Sequence, residues 1–170
     1  TATTEIEFGG TIYATDHNAT YTVKAGAADN NGNFDIAAAA TFSSTADPIE
    51  FATGTIDLAN GANLIVNSTG GDITIAAIKG NSAEDVTLNA VGGDIAVGAV
   101  GNSAGIGEID YTGATVTLSG DQVTSTGADK GWFESTGVTK ISGSVTIDTD
   151  VSTGDGTNED RSSPIPIDAN

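Results

Sequence analysis

The chain has 170 residues, with 23 Asp and Glu against five Lys and Arg, a formal net charge of −18, and neither Cys nor Met. This charge argues against a nucleic-acid-binding protein, because neutralising phosphates requires clusters of Lys and Arg. No apolar run approaches the roughly 18 residues of a membrane span, and no disulfide framework can form. The length, with no Pro-rich or charged linker, predicts one domain over residues 1–170.

The chain opens with Thr4, Glu5, Ile6, Glu7 and Phe8, without an initiating Met or a signal-peptide pattern. Such a start predicts a processed or excised segment. Further along, the single His, His17, lies in a polar, turn-like stretch, where a surface residue is expected rather than a general base. No Cys nucleophile occurs, and the basic residues are thinly spread. We therefore expect a protein that is not an enzyme.

Short strands and tight turns are predicted by the many Gly, Thr, Asn, Asp and Ser residues. Apolar and polar residues alternate in 73–75, 86–88 and 116–118, which indicates strands with one buried face. Residues 36–42 contain four consecutive Ala and are the one stretch that resembles a helix. We interpret them as a crowded corner between strands, with a one-turn helix as the alternative.

Large apolar residues return about every 22 positions along the chain. The main column contains Ile12, Phe34, Ile56, Ile78, Val100, Val123, Val145 and Ile167. A second column contains Tyr21, Phe42, Leu64, Val86, Ile109 and Trp132, and a third contains Phe8, Phe51, Ile73, Ile95, Val116 and Val138. A fixed period of this size is typical of stacked repeats.

Three columns per period predict an all-β fold, a parallel β-solenoid (β-helix) with three short strands in each coil of about 22 residues. The length then gives seven to eight coils, or roughly 35 Å at about 4.8 Å per coil. The Gly pairs at 70–71 and 92–93 are predicted corners. A β-sandwich is the alternative fold, but antiparallel hairpins would not force equivalent residues to recur at a fixed spacing.

Two Asx- and Gly-rich segments, 29–33 and 155–160, interrupt the third column and are predicted to be loops that replace a strand. The second of them belongs to a candidate calcium site with oxygen ligands at Asp148, Asp150, Ser152, Asp155 and Glu159. The spacing resembles a calcium loop, but Thr153 replaces the expected Gly and no helices flank it. Weak Ca²⁺ binding is therefore one hypothesis, and Asx residues that simply hydrogen-bond their own turns are the other.

Two Asn-x-Ser/Thr triplets begin at Asn18 and Asn67 and predict glycosylation acceptors. Such triplets also arise freely in a chain that is rich in Asn and Thr. They are weak candidates for attached glycan.

The stretch GGDIAVGAVGNSAGIGEIDYTGATVTLSGDQVTSTG, residues 92–127, resembles the Gly-Asp-Ile-x-Val, Gly-Ala-Val and Ala-Thr-Val-Thr-Leu repeats of large exported bacterial adhesins of the filamentous-haemagglutinin kind. A looser likeness covers residues 49–150. The resemblance implies an extracellular, non-enzymatic solenoid shaft that spaces or carries binding regions. The chain departs from these adhesins because it has no recognisable secretion domain at its start and no Arg-Gly-Asp tripeptide.

These observations predict a structural or adhesive protein located outside the cell or on its surface. The alternative is a carbohydrate-binding or carbohydrate-cleaving β-helix protein, which needs exposed aromatic residues beside acids. The candidates are Tyr13, Tyr111, Trp132 and Phe133. Because successive strand residues point to opposite faces, one of Trp132 and Phe133 is expected to point outward.

The two ends of the chain predict self-assembly. The end segments are residues 4–8 and the stretch Pro164, Ile165, Pro166 and Ile167, and neither resembles a polar cap. An uncovered solenoid end exposes unpaired backbone groups and apolar core. We therefore expect the ends to meet copies of the same chain head to tail, as an open filament, or adjoining coils of a longer chain. The two Pro cannot donate backbone hydrogen bonds, which favours strand exchange through residues 1–8.

Overall fold

The computed structural model describes residues 5–8, 12–15, 19–22, 33–101, 106–125 and 131–151. These ranges contain fifteen strands and no helix, and the strand pairings are all parallel. The chain winds as a β-solenoid of about five turns. This result confirms the predicted solenoid, and the parallel pairing is not that of a β-sandwich. The predicted seven to eight coils are not confirmed.

Each coil contributes one strand segment to each of three faces, which we call A, B and C. Face A contains β1 (Glu5–Phe8), β4 (Asn33–Ile36), β7 (Thr55–Leu58), β13 (Gln122–Ser125) and β15 (Ile147–Val151). Face B contains β2 (Ile12–Thr15), β5 (Ala40–Ser44), β8 (Leu64–Ser68) and β10 (Glu84–Ala90). Face C contains β3 (Ala19–Thr22) and β6 (Ile49–Thr53). Four longer strands bend through a corner: β9 (Ile73–Lys79) and β11 (Ile95–Val100) run from face C to face A, and β12 (Ile106–Leu118) and β14 (Trp132–Ile141) run from face B to face C.

The middle coils stack in the predicted register. On face A the column runs Phe34, Ile56, Ile78 and Val100. On face B it contains Leu64, Val86 and Ile109, and on face C it contains Ile73, Ile95 and Val116. All of these side chains are buried. Successive residues of a strand point alternately into the solenoid and out of it, so each coil adds apolar side chains to one continuous core along the stack.

The main column differs from the prediction at both ends. Gln122, not Val123, pairs with Val100, and Ile147, not Val145, pairs with Gln122. At the other end Ile6 pairs with Phe34, while Ile12 lies on face B beside Thr41. Ile167 lies outside the described residues. A shift of one residue turns a strand over, so the half-buried Val123 leaves the column when Gln122 enters it.

The other two columns also differ at their ends. On face B, Phe133 and not Trp132 follows Ile109, Phe42 pairs with Val66, and Tyr21 lies on face C beside Phe51. On face C, Thr139 and not Val138 follows Val116, Phe51 pairs with Ile75, and Phe8 lies on face A beside Ile36. The predicted columns therefore hold in the middle coils and slip at both ends of the described solenoid.

Tight corners join the faces. Gly71 and Gly93 stack at successive turns between faces B and C, where a Cβ atom on Gly93 would overlap the carbonyl oxygen of Gly71. Only Gly allows coils to approach so closely. Residues 37–39 are exposed between β4 and β5 and are not helical, which confirms the predicted corner in 36–42. The predicted loop 155–160 lies outside the described residues, as do residues 29–32 of the other predicted loop. The last residue of that loop, Asn33, begins β4.

Candidate functional site

Carboxylates at the corners bind one coil to the next. Asp72 accepts a hydrogen bond from the backbone N–H of Asp94 at 2.8 Å, and Asp94 in turn accepts one from the N–H of Thr115 at 3.0 Å. Asp121 accepts from the N–H of Thr146 at 2.8 Å. These contacts satisfy backbone donors that have left the strand ladders, and a charged acceptor makes them stronger than neutral hydrogen bonds. A part of the acidic composition is therefore structural.

The most enclosed carboxylate is that of Glu84, which is fully buried at the corner before face B. Its two oxygens lie 2.8–2.9 Å from the backbone nitrogens of Gly61, Asn81 and Ser82 and from the Ser82 hydroxyl. Burial raises the pKa of this carboxyl, but the four hydrogen bonds outweigh it and lower the pKa to about 2. Because Gly61 belongs to the preceding coil, Glu84 joins two coils as an anion.

A second buried polar group crosses the core of the C-terminal coils. The Gln122 side-chain oxygen accepts a hydrogen bond from the Tyr111 hydroxyl at 2.8 Å. Its amide nitrogen donates to the carbonyl oxygens of Gly98 and Gly120 at 2.8 and 2.7 Å. Burial raises the pKa of Tyr111 far above its usual value, so this hydroxyl remains a donor. The amide is fully buried in the structure and has a partner for both its oxygen and its nitrogen.

An acidic strip follows the outer surface of face B and consists of Asp85, Glu108, Asp110 and Glu134. Asp85 pairs with Glu108 and Asp110 pairs with Glu134 in adjacent strands. Trp132 pairs with Glu108, and its indole N–H donates to Glu134 at 3.3 Å. Burial, together with the charges of Glu134 and Glu108, raises the pKa of Asp110. The strip therefore offers closely spaced carboxylates beside one partly exposed aromatic ring.

The remaining aromatic candidates lie largely inside the solenoid. Tyr111 and Phe133 are buried and meet edge to face at a centroid distance of 5.8 Å. Tyr13 is partly exposed and stacks on Phe42 at 4.7 Å. The buried Phe133 confirms that Trp132 is the outward member of its pair. Of the predicted sugar-contacting residues, only Trp132 lies beside the acidic strip.

Face A carries a different polar surface. Lys79 forms an ion pair with Asp57 at 3.2 Å, and Asp57 also accepts a hydrogen bond from the Asn33 amide at 3.4 Å. Asp57 and Asp35 border a shallow, open cleft of about 270 Å³ at the corner toward face B. The contacts of Asp57 run from coil to coil, as at the corners. They hold neighbouring coils together at a surface where a single ion pair contributes at most about 1 kcal/mol.

Three of the five residues of the predicted calcium site, and one of the two predicted glycosylation acceptors, lie outside the described residues. Asp148 and Asp150 lie in β15, which pairs with β13, and Ser152, Asp155 and Glu159 lie outside. Across the described ranges no three His, Cys, Asp or Glu side chains converge closely enough to hold a metal ion. Asn67 is partly buried in β8 between Ser43 and Asn89. Asn18 and His17 lie outside the described residues.

Of the two predicted assembly segments, the structure describes only residues 5–8 of the N-terminal one. Glu5, Ile6, Glu7 and Phe8 form β1, which pairs with β4 of the same chain. Thr4 and the stretch Pro164, Ile165, Pro166 and Ile167 lie outside the described residues. Residues 5–8 thus have a place in their own solenoid.

Sequence reasoning missed the two buried polar groups, Glu84 and Gln122. A signal for Glu84 existed in its spacing, because it stands 22 residues before Ile106 and in register with it in the next coil. A carboxylate at a position that is otherwise apolar must find several donors. For Gln122 no comparable signal exists, since Val123 fits the apolar period better.

A scan against models of protein families, a search of the curated proteins and a search of solved structures each found no match. None of the residues that the structure describes forms a helix long and apolar enough to cross a membrane.

Proposed function

We propose that the chain is a non-enzymatic structural or adhesive solenoid that works outside the cell or on its surface. It serves as a shaft segment of a large adhesin or as a subunit of a fibre. The observation that carries the proposal is the stacking of parallel coils around one continuous core. Such a stack extends by adding coils without changing the coils already present.

The coil-to-coil contacts support a load-bearing role. The side chains of Asp72, Asp94 and Glu84 each bind a backbone group of a neighbouring coil. Corners are the places where the strand ladders stop, so these charge-assisted hydrogen bonds reinforce the weakest part of each coil. A shaft that spaces binding regions needs this resistance to bending and splaying.

Location and activity test the proposal together. Antibodies against the chain should label intact cells of the organism that encodes it as strongly as permeabilised cells. The purified chain should neither bind specifically to a glycan array nor release sugars from polysaccharides. Labelling that requires permeabilisation, or turnover of a polysaccharide, would refute the proposed function.

A carbohydrate-binding β-helix is the second candidate, and Trp132 beside the acidic strip favours it. An aromatic ring with adjacent carboxylates can stack on a sugar ring while the carboxylates accept hydrogen bonds from its hydroxyls. Under this function a glycan array should show specific binding that Trp132→Ala abolishes. The matched control is Phe133→Leu, which changes the buried neighbour and should leave glycan binding intact.

A further inference from the structure

The first and the last described coils each present one strand edge on each of faces A, B and C. The first described coil consists of β1, β2 and β3, on faces A, B and C. The last consists of β14 on faces B and C and β15 on face A. Within the described residues, each of these strands pairs on one edge only, with β4, β5, β6, β12 and β13 respectively.

The last described coil leaves apolar side chains exposed at positions that are buried in the coils before it. Ile141 continues the column of Ile75, Val97 and Leu118, whose side chains are at most 2% exposed, yet Ile141 is 38% exposed. Val145 and Ile147 pack against the core but are only partly buried. The exposed area at Ile141 is therefore what a further coil would cover.

The sequence immediately after β15 does not continue the apolar pattern. A face B segment begins four to seven residues after a face A strand ends, as from Ile36 to Ala40 and from Ser125 to Trp132. The next one would fall within residues 152–163, which contain no large apolar residue. This stretch lacks the large apolar side chains that fill the inward columns of the described coils.

We propose that the last coil of one copy receives the first coil of another copy, which adds head to tail in the same register. This inference rests on the proposed structural function and names the partner as a second copy of this chain. Extending the observed columns by one step places Ile6, Tyr13 and Tyr21 of the second copy over Ile147, Ser135 and Ile141. All three faces are then continued at once, without any change in the order of strands.

The joint is heterologous and leaves the same two end coils exposed at the outer ends of a dimer, so it propagates as an open filament. It also places Glu7 of the second copy in the column that ends at Asp148. Like charges at the contact, on a chain of net charge −18, oppose association. Assembly is therefore strongest at high salt, where these charges are screened.

Cysteine cross-linking tests the register, since the chain has no Cys of its own. Thr20 and Lys140 stand in the same outward column of face C, at its first and last described positions. The joint places them in adjacent strands, within disulfide reach. The variant Thr20→Cys/Lys140→Cys, oxidised at high salt, should give a ladder of oligomers on a non-reducing gel.

The matched control is Thr20→Cys/Thr117→Cys, because Thr117 lies one coil further from the end and so about 10 Å from Thr20 of the second copy. This pair should remain monomeric. Ala14→Cys/Thr136→Cys tests the same joint on face B and guards against local misfolding of face C. If both end pairs stay monomeric while circular dichroism shows folded protein, or the control gives an equal ladder, the proposed joint is wrong.

Sedimentation of chains without Cys gives an independent test. Wild type at high salt should sediment as a series of oligomers, and Ile141→Lys should reduce it to monomer. Val91→Lys, at an exposed corner within the stack, should leave the series unchanged. A monomeric wild type overturns the joint but leaves the shaft function in place. A chain that assembles and also cleaves a glycan keeps the joint and overturns the function.

Discussion

The middle coils and the C-terminal coils solve the same packing problem with different side chains. From Phe34 to Val100 the inward column of face A is entirely apolar. An aromatic cluster fills the core beside Phe34, where Phe51 meets Phe34 and Phe42 edge to face at 5.3 and 5.1 Å. From Ile106 onward the buried positions include Gln122, Thr124, Ser135 and Thr139. The face A column of the first region is held by apolar packing, whereas in the second region Gln122, Ser135 and Thr139 form hydrogen bonds inside the core.

The difference shows what fixes register in a narrow solenoid. Apolar columns tolerate sliding by two residues, because the next apolar residue on the same face fills the same space. Gln122 does not allow such sliding, since its amide needs the Tyr111 hydroxyl and the two glycine carbonyls at once. The Ser135 and Thr139 hydroxyls likewise pair with each other at 2.8 Å. Polar residues in the C-terminal core therefore specify one alignment.

The largest expected effect comes from placing a charge in the apolar column. Ile78→Asp buries an unpaired carboxylate between Ile56 and Val100, and we expect it to destabilise the fold by more than about 4 kcal/mol. Urea denaturation followed by circular dichroism measures the loss. The control Val91→Asp, at a corner residue that is 62% exposed, should change stability by less than about 0.5 kcal/mol. Equal losses for the two variants would contradict the stacked core.

Glu84 is the one ionised side chain that the middle coils bury completely, and its pKa is lowered from 4.5 to about 2. The folded state therefore favours the anion. This contribution, about 3 kcal/mol, is fully present above pH 4.5 and is lost as the pH falls toward 2. In Glu84→Gln it should be missing at neutral pH, so wild type and variant should converge in stability on acidification.

Urea denaturation at a series of pH values from neutral downward measures this convergence. The control is Glu50→Gln, the same substitution at a half-buried carboxylate on the outside of face C, and the two variants are compared with wild type at each pH. A difference between wild type and Glu84→Gln that stays constant with pH would show that Glu84 does not act as a buried anion.

Removal of the Gln122 amide should have a smaller effect. Gln122→Leu keeps the volume but leaves the Tyr111 hydroxyl and two carbonyl oxygens without a partner, at a cost of about 1–3 kcal/mol. In the background of Tyr111→Phe, the same change should cost less because one lost partner is already absent. A double-mutant cycle in urea measures this coupling. Purely additive losses would argue against the hydrogen bond across the core.

The smallest effect is expected on the surface. Burial and the charges of Glu134 and Glu108 raise the pKa of Asp110, so the folded state disfavours its anion at neutral pH. Asp110→Asn should therefore stabilise the protein at pH 7 by a few tenths of a kcal/mol, and the gain should vanish as the pH falls below the ordinary pKa. Asp57→Asn, which removes the partner of Lys79, should change stability by a similar amount in the opposite direction. Thermal denaturation at two pH values distinguishes these signs.

The sequence predicted the fold type because it depends on a repeated physical pattern. Large side chains such as Ile56, Ile78 and Val100 must share one core, and their spacing gives the coil length. Register at the ends was not predictable, because Gln122 enters the core only by virtue of partners on other strands, Tyr111 and Gly98. The same holds in part for Glu84, because one of its four donors, the Gly61 N–H, belongs to the preceding coil.

Nuclear magnetic resonance of the isotope-labelled 16.8 kDa chain tests the central claim most directly. Short interproton distances across parallel strands differ from those across antiparallel strands, where opposing Hα atoms come close. We predict backbone contacts that link Val100 to Gln122 and Leu88 to Tyr111, in the pattern of parallel neighbours. Close Hα–Hα contacts between sequential strands, or contacts that pair Val100 with Val123, would contradict the solenoid or its register.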